Sequence, residues 1–169
     1  MILLDPDLDP APVRSLIAEG RKHVTRHSGK IPSKAVLARF LVRARAAVRL
    51  AGNVSVLLTT DIAIRRLNRR FRGKNKTTDV LSFPTDTLIR SREKLAGDLA
   101  VSVPAAQRQA DEYGHTLDTE IKVLILHGLL HLAGYDHERD HGQMARRERV
   151  LRARLRLPQG LIERAGERS

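Results

Sequence analysis

Residues 121–132 read IKVLILHGLLHL, and Ile121, Val123, Leu124, Ile125, Leu126, Leu129, Leu130 and Leu132 leave a helix built from them with almost no polar face. A helix that is apolar around its circumference must be enclosed by the rest of the chain, so it belongs at the centre of the fold. Asp118 or Thr119 is the expected N-cap, and Gly134 is the residue expected to end the helix. With 169 residues, 41% of them hydrophobic, the chain has material for a single domain over 1–169 with one core.

The segments available to enclose that helix are short. Ile2, Leu3 and Leu4 read as a strand closed by the Asp5-Pro6 turn, 54–58 as a second strand, and 78–83 as a third that stops at Pro84. Residues 98–103 form a fourth, giving way at Pro104 to a helix that runs to Tyr113. Helical spacing also runs from the N-cap Ser33 through Leu37, Phe40, Leu41, Ala44 and Val48 to a stop at Gly52. A further helix starts at Thr60 or Asp61, turns Ile64, Leu67 and Phe71 inward and ends at Gly73. Asp140 can cap a final Arg-rich helix that ends before Pro158, whereas 6–30 carries only a weak stripe broken by Gly20. Four strands and five to six helices predict an α+β fold, a small mixed four-stranded sheet packed with helices around the central one.

The central helix carries the chemistry. His127 and His131 stand four apart, so both imidazoles leave one face and can reach one ion. Gly134 lets the chain reverse after the helix and return His137 as a third ligand. With no cysteine in the chain, a metal site must be built from His, Asp or Glu. Three neutral imidazoles, with metal–nitrogen distances of about 2.0–2.1 Å, leave a fourth tetrahedral position for water, the pattern of a catalytic zinc. Asp136 and Glu138 beside the third ligand read as supporting or turn residues, and His141 lies one turn further on. His23 and His27 are also four apart, but Arg and Lys surround them and no third ligand follows, so they read as surface.

The spacing is that of a zincin-like metal helix with one departure: where zinc peptidases place the glutamate that deprotonates water, this chain has Gly128. A peptidase without that carboxylate lacks its proton acceptor. RNA suits such a site better, because it carries its own nucleophile, the 2′-hydroxyl next to each phosphate.

Charge points the same way. Thirty-one Lys and Arg against 19 Asp and Glu give a net charge of +12, which calls for a polyanionic partner. Two Tyr, three Phe and no Trp argue against binding by rows of stacked aromatics, leaving charge to do most of the work. No apolar run approaches the roughly 20 residues of a membrane span and the first residues lack signal-peptide character, so a cytoplasmic protein with no membrane partner is expected. Residues 65–76, RRLNRRFRGKNK, hold seven Lys or Arg and no acid. The first four arginines suit an exposed helix face, while Arg72, Lys74 and Lys76 flank a glycine in a loop that can clamp phosphate.

The motifs LNRRFRGKNKTTDVLSFP (67–84), AGDLAVS (96–102) and HGLLHLAGYDH (127–137), in that order, resemble the YbeY endoribonucleases, bacterial rRNA maturation factors, over residues 33–155. The resemblance implies a metal-dependent, single-strand-specific endoribonuclease acting in 16S rRNA 3′-end maturation and ribosome quality control. It implies one Zn2+ held by His127, His131 and His137, with Arg72 as the arginine of activity; Lys74 and Lys76, read from the loop's own charge, are the expected substrate contacts beside it. Its implied partners are rRNA and the small ribosomal subunit, together with ribosomal proteins or GTPase assembly factors. Two features depart from the family: Asn75 and Thr77 stand where it often has Asp and Pro, and the segment after His137, usually acidic, carries Arg146, Arg147, Arg149, Arg152, Arg154 and Arg156. Residues 6–30 also exceed what the family needs. The alternative reading is an rRNA-binding assembly factor with a non-catalytic zinc site, told apart by RNA binding without cleavage.

Overall fold

The computed structural model describes residues 1–8, 29–86, 94–137 and 139–159. In chain order they form β1 (Ile2–Leu4), α1 (Lys34–Val48), β2 (Asn53–Thr59), α2 (Asp61–Arg72), β3 (Val80–Pro84), β4 (Leu95–Ser102), α3 (Val103–Tyr113), α4 (Leu117–Leu132) and α5 (Gln143–Leu155). The sheet order is β1-β2-β4-β3, with β1, β2 and β4 parallel and β3 antiparallel to β4 at the edge. This is the expected α+β arrangement with a mixed four-stranded sheet.

Strand alternation sorts side chains between two unequal cores. Val54, Val56 and Leu58 of β2 and Leu99 and Val101 of β4 join the large core with α1, α4 and α5. Leu81 and Ala100 point the other way, onto Ile64 of α2, with Leu67 and Phe83 packed against them. At the centre of the large core, Ile121, Val123, Leu124, Ile125, Leu126, Leu129 and Leu130 of α4 are fully buried. Each such burial contributes about 1.5–3 kcal/mol, which makes α4 the helix whose removal the fold could least survive.

Several ends differ from expectation. α4 starts earlier, because the Thr116 hydroxyl accepts the Thr119 amide (3.2 Å) and leaves Asp118 in the first turn, where the helix dipole favours an acid. α1 stops at Arg49, which takes a left-handed conformation before Gly52 is reached. Ser33 and Thr60 cap α1 and α2 as read. Ahead of α5, Gly142 occupies the cap position, yet the Asp140 carboxylate does accept the Gly142 and Met144 amides (3.1 and 2.7 Å). Phe71, expected to face inward, is 58% exposed. Its helical phase is right, but it lies over β3, the edge strand, with no further strand to cover it. Most of 6–30, including His23 and His27, lies outside the described residues. Among the described residues no helix is long and apolar enough to cross a membrane.

Candidate metal centre and basic cleft

α4 delivers two of the three histidines, and its own termination delivers the third. Gly134 adopts φ +93°, a conformation that costs a side-chain-bearing residue, and the Gly134 and Tyr135 amides donate back to the His131 and Leu130 carbonyls (3.0 and 3.1 Å). The reversed chain returns His137, so that one nitrogen from each of His127, His131 and His137 lies within 4.8 Å of the others.

The hydrogen bonds behind the rings decide where the lone pairs point. His127 Nδ1–H donates to Glu148 Oε2 (3.0 Å) and His131 Nδ1–H donates to the Tyr135 carbonyl (3.0 Å). A nitrogen facing an acceptor must carry the proton, which leaves a lone pair on each Nε2. Those two Nε2 atoms stand 3.1 Å apart. Two lone pairs at that distance repel unless a cation sits between them, and a tetrahedral zinc with bonds of about 2.0–2.1 Å needs neighbouring donors about 3.3 Å apart. His137 Nδ1 is buried with no hydrogen-bond partner among the described residues. The three residues therefore fit a metal ion of zinc type. Burial, followed by the neighbouring His127 and His137 imidazoles, pulls the His131 pKa down to about 4, so the ring is neutral and ready to coordinate at pH 7.

Glu148 and Arg152 form the support that sequence reasoning missed. Both are almost fully buried, and Arg152 Nε donates to Glu148 Oε1 (2.7 Å) while Nη1 donates to the Pro158 carbonyl (2.8 Å). Burial alone pushes the Glu148 pKa up, but His127 and Arg152 outweigh it and hold the carboxyl below its usual range. Arg152 thus belongs to the interior and not to an RNA-facing surface, and Arg147 turns back to donate to the Ala47 carbonyl (3.2 Å). Arg146, Arg149, Arg154 and Arg156 remain exposed. The available signal was the helical spacing of Met144, Glu148, Leu151 and Leu155, which places Glu148 on the apolar face of α5.

Gly128 has a second reason to be glycine. A Cβ there would lie 2.7 Å from Leu99 Cδ2, and the Ser82 hydroxyl donates to the Gly128 carbonyl (3.3 Å). α4 is pressed against the sheet at this point, so a glutamate would meet β4 in the interior.

The opposite wall of the cleft is basic. Arg72 ends α2, and its guanidinium reaches the Ser82 carbonyl at 3.5 Å, across the β3 edge. Buried Asn68, one turn earlier, donates to the Lys76 carbonyl (2.8 Å), and Arg65 Nε donates to Asn75 Oδ1 (3.0 Å), so α2 holds the loop from two sides. Asn68 went unnoticed in the sequence, where it sat among arginines as one more polar residue. Asp79 accepts from Gln109 of α3 (2.9 Å), fixing the far end. Arg72, Lys74, Lys76, His127, His131 and His137 all line one cleft of about 660 Å³. His141 is exposed and apart from the triad, and Asp136 lines the cleft beside His137.

Comparison with known proteins agrees with this geometry. The family model for endoribonuclease YbeY matches residues 22–156. The chain belongs to the YbeY family. Its relatives include proteins named Endoribonuclease YbeY from Koribacter versatilis, 52% identical over 132 residues (78% of this chain, 84% of the relative), and Solibacter usitatus, 45% identical over 146 residues (86% and 95%). The solution structure of a Thermotoga maritima protein is similar at TM-score 0.53 and 27% identity, covering 75% of this chain and 85% of that one. The YbeY match begins at residue 22, so the last part of 6–30 belongs to the family region after all.

Proposed function

We propose that this chain is a zinc-dependent endoribonuclease that cuts single-stranded RNA in the cytoplasm, acting on rRNA of the small ribosomal subunit in 3′-end maturation and quality control. The observation that carries the reading is the shared cleft: three convergent histidines on one wall and Arg72, Lys74 and Lys76 on the other, in a YbeY family member. His127, His131 and His137 are the metal ligands, and Zn2+ bound there would supply a Lewis acid that polarises phosphate oxygens and makes water or a 2′-hydroxyl more acidic.

The chain's own groups do the rest. Glu148 and the Tyr135 carbonyl hold protons on Nδ1 of His127 and His131, keeping each Nε2 turned to the cleft. Arg72 offers a planar fork that takes two oxygens of one phosphate and stabilises the charge that builds on them during cleavage. Lys74 and Lys76 neutralise neighbouring phosphates and hold the strand in register. With glycine at 128, no carboxylate stands where a peptidase keeps its base, which favours phosphodiester over peptide cleavage.

Elemental analysis of purified protein, paired with cleavage of a single-stranded oligoribonucleotide and a duplex control, tests the reading. One zinc per chain and chelator-sensitive cleavage of the single strand alone are expected. Cleavage that survives complete metal removal would overturn the mechanism, and tight RNA binding with no cleavage at any metal loading would overturn the enzyme.

A further inference from the structure

The chain has five Phe and Tyr residues, and only Phe40 is deep in the core, at 5% exposure. Tyr113 and Tyr135 line the cleft. Phe71 and Phe83 are chain neighbours of lining residues, and their rings meet edge to face with centroids 5.1 Å apart. Phe71 directly precedes Arg72, and the residues flanking Phe83, Ser82 and Pro84, line the cleft. So few aromatics cannot act as a long stacking platform, but a pair next to Arg72 can act as a local one.

Phe71 is the telling member. A phenylalanine that is 58% exposed sacrifices burial it could have had elsewhere. It sits in the last turn of α2 with Arg69, Arg70 and Arg72, and the Arg70 guanidinium lies 5.3 Å from its ring centroid. Phe83 packs against Leu81 and Ile64 and braces the ring from the sheet side. A ligand that suits an exposed aromatic in a turn of arginines has flat π-faces and repeated negative charge, which describes single-stranded nucleic acid.

We propose that Phe71, braced by Phe83, stacks an unpaired base of the RNA beside the phosphate held by Arg72. This rests on the reading of the cleft as an RNA site and specifies how the strand is gripped. Strand alternation puts Phe83 on the α2 face of the sheet, whereas Ser82 meets Gly128 of α4 on the other face. Arg72 spans the edge between them with its guanidinium on the Ser82 carbonyl. An RNA strand crossing the β3 edge therefore meets Phe71 first, Arg72 next and the histidines last. A base in a duplex stays stacked on its neighbours, so this grip selects unpaired RNA.

The test uses full-length, zinc-loaded protein and two fluorescent oligomers of equal length, one single-stranded RNA and one abasic strand with the same phosphates. Phe71→Ala should weaken RNA binding by about 5- to 150-fold, the equivalent of about 1–3 kcal/mol for one stacked base, and leave abasic binding and zinc content unchanged. Phe71→Trp should restore affinity, and because the chain has no other tryptophan, its fluorescence should be quenched by RNA and not by the abasic strand. Equal loss on both oligomers, or wild-type affinity in Phe71→Ala, would overturn the stacking proposal while leaving the RNA reading intact. Wild-type protein that binds neither oligomer would overturn the RNA reading and this proposal with it.

Discussion

On the histidine wall of the cleft the two rings carried by α4 are fixed from behind: His127 by the buried Glu148–Arg152 pair, and His131 by the carbonyl of the turn that ends its own helix. On the basic wall the backbone is fixed, through Asn68 and Asp79, but Arg72, Lys74 and Lys76 are exposed residues, and of the three only Arg72 has its cationic tip against a protein group among the described residues, the Ser82 carbonyl at 3.5 Å. The contrast fits the ligand proposed for each wall. A metal demands donors placed to within tenths of an ångström, which requires packed support. A phosphate is attracted by charge over several ångströms, so flexible tips on a firm loop suffice.

If that contrast is right, damage to the two walls separates in the laboratory. The largest effect belongs to His131→Ala, which should abolish stoichiometric zinc and reduce RNA cleavage to background while RNA binding persists; elemental analysis and fluorescence anisotropy on one preparation check both halves. Arg72→Ala should do the reverse, keeping full zinc and losing about 10²–10³-fold in cleavage rate, the typical loss on removing one charge-stabilising donor. Zinc loss in that variant would show that the walls are not independent.

Glu148→Gln should keep a hydrogen-bond acceptor for His127 but lose the charge, lowering zinc affinity by about 10–100-fold in a chelator competition. Lys74→Ala with Lys76→Ala should leave zinc alone and flatten the dependence of log affinity on log salt, by about 0.7 for each phosphate of single-stranded RNA that is no longer neutralised. The smallest effect concerns acid. His131 titrates near 4 in the folded protein and near 6.5 when unfolded, so between those values the unfolded chain binds the extra proton. Metal-free protein should therefore lose stability as pH falls from about 6.5 towards 4, and urea midpoints that stay level across this range in wild type, or fall equally in His131→Ala, would contradict it.

Much of the fold was legible because its signals are local. The caps Ser33 and Thr60, the stop at Gly73, the end of β3 at Pro84 and the start of α3 with Pro104 in its first turn each act within one turn of chain. Errors arose where a neighbour distant in sequence decided the outcome. The phase of Phe71 was correct, but its exposure depended on β3 being an edge strand. Arg152 looked like one more surface arginine until α5 packed it beside Glu148. Asn68 acquired its role only once the loop folded back to offer the Lys76 carbonyl.

By itself the sequence determined that one helix had to be central, that two histidines would share its face, and that a glycine-ended turn could return a third. Those follow from helical period and from the backbone freedom of glycine, which operate over a few residues. Only the tertiary structure decided which groups would stand behind those rings, that glycine at 128 is needed for α4 to press against Leu99, and that Arg72 would share a cleft with the histidines. Each of these depends on elements packing across tens of residues, where burial of apolar faces fixes which polar groups meet.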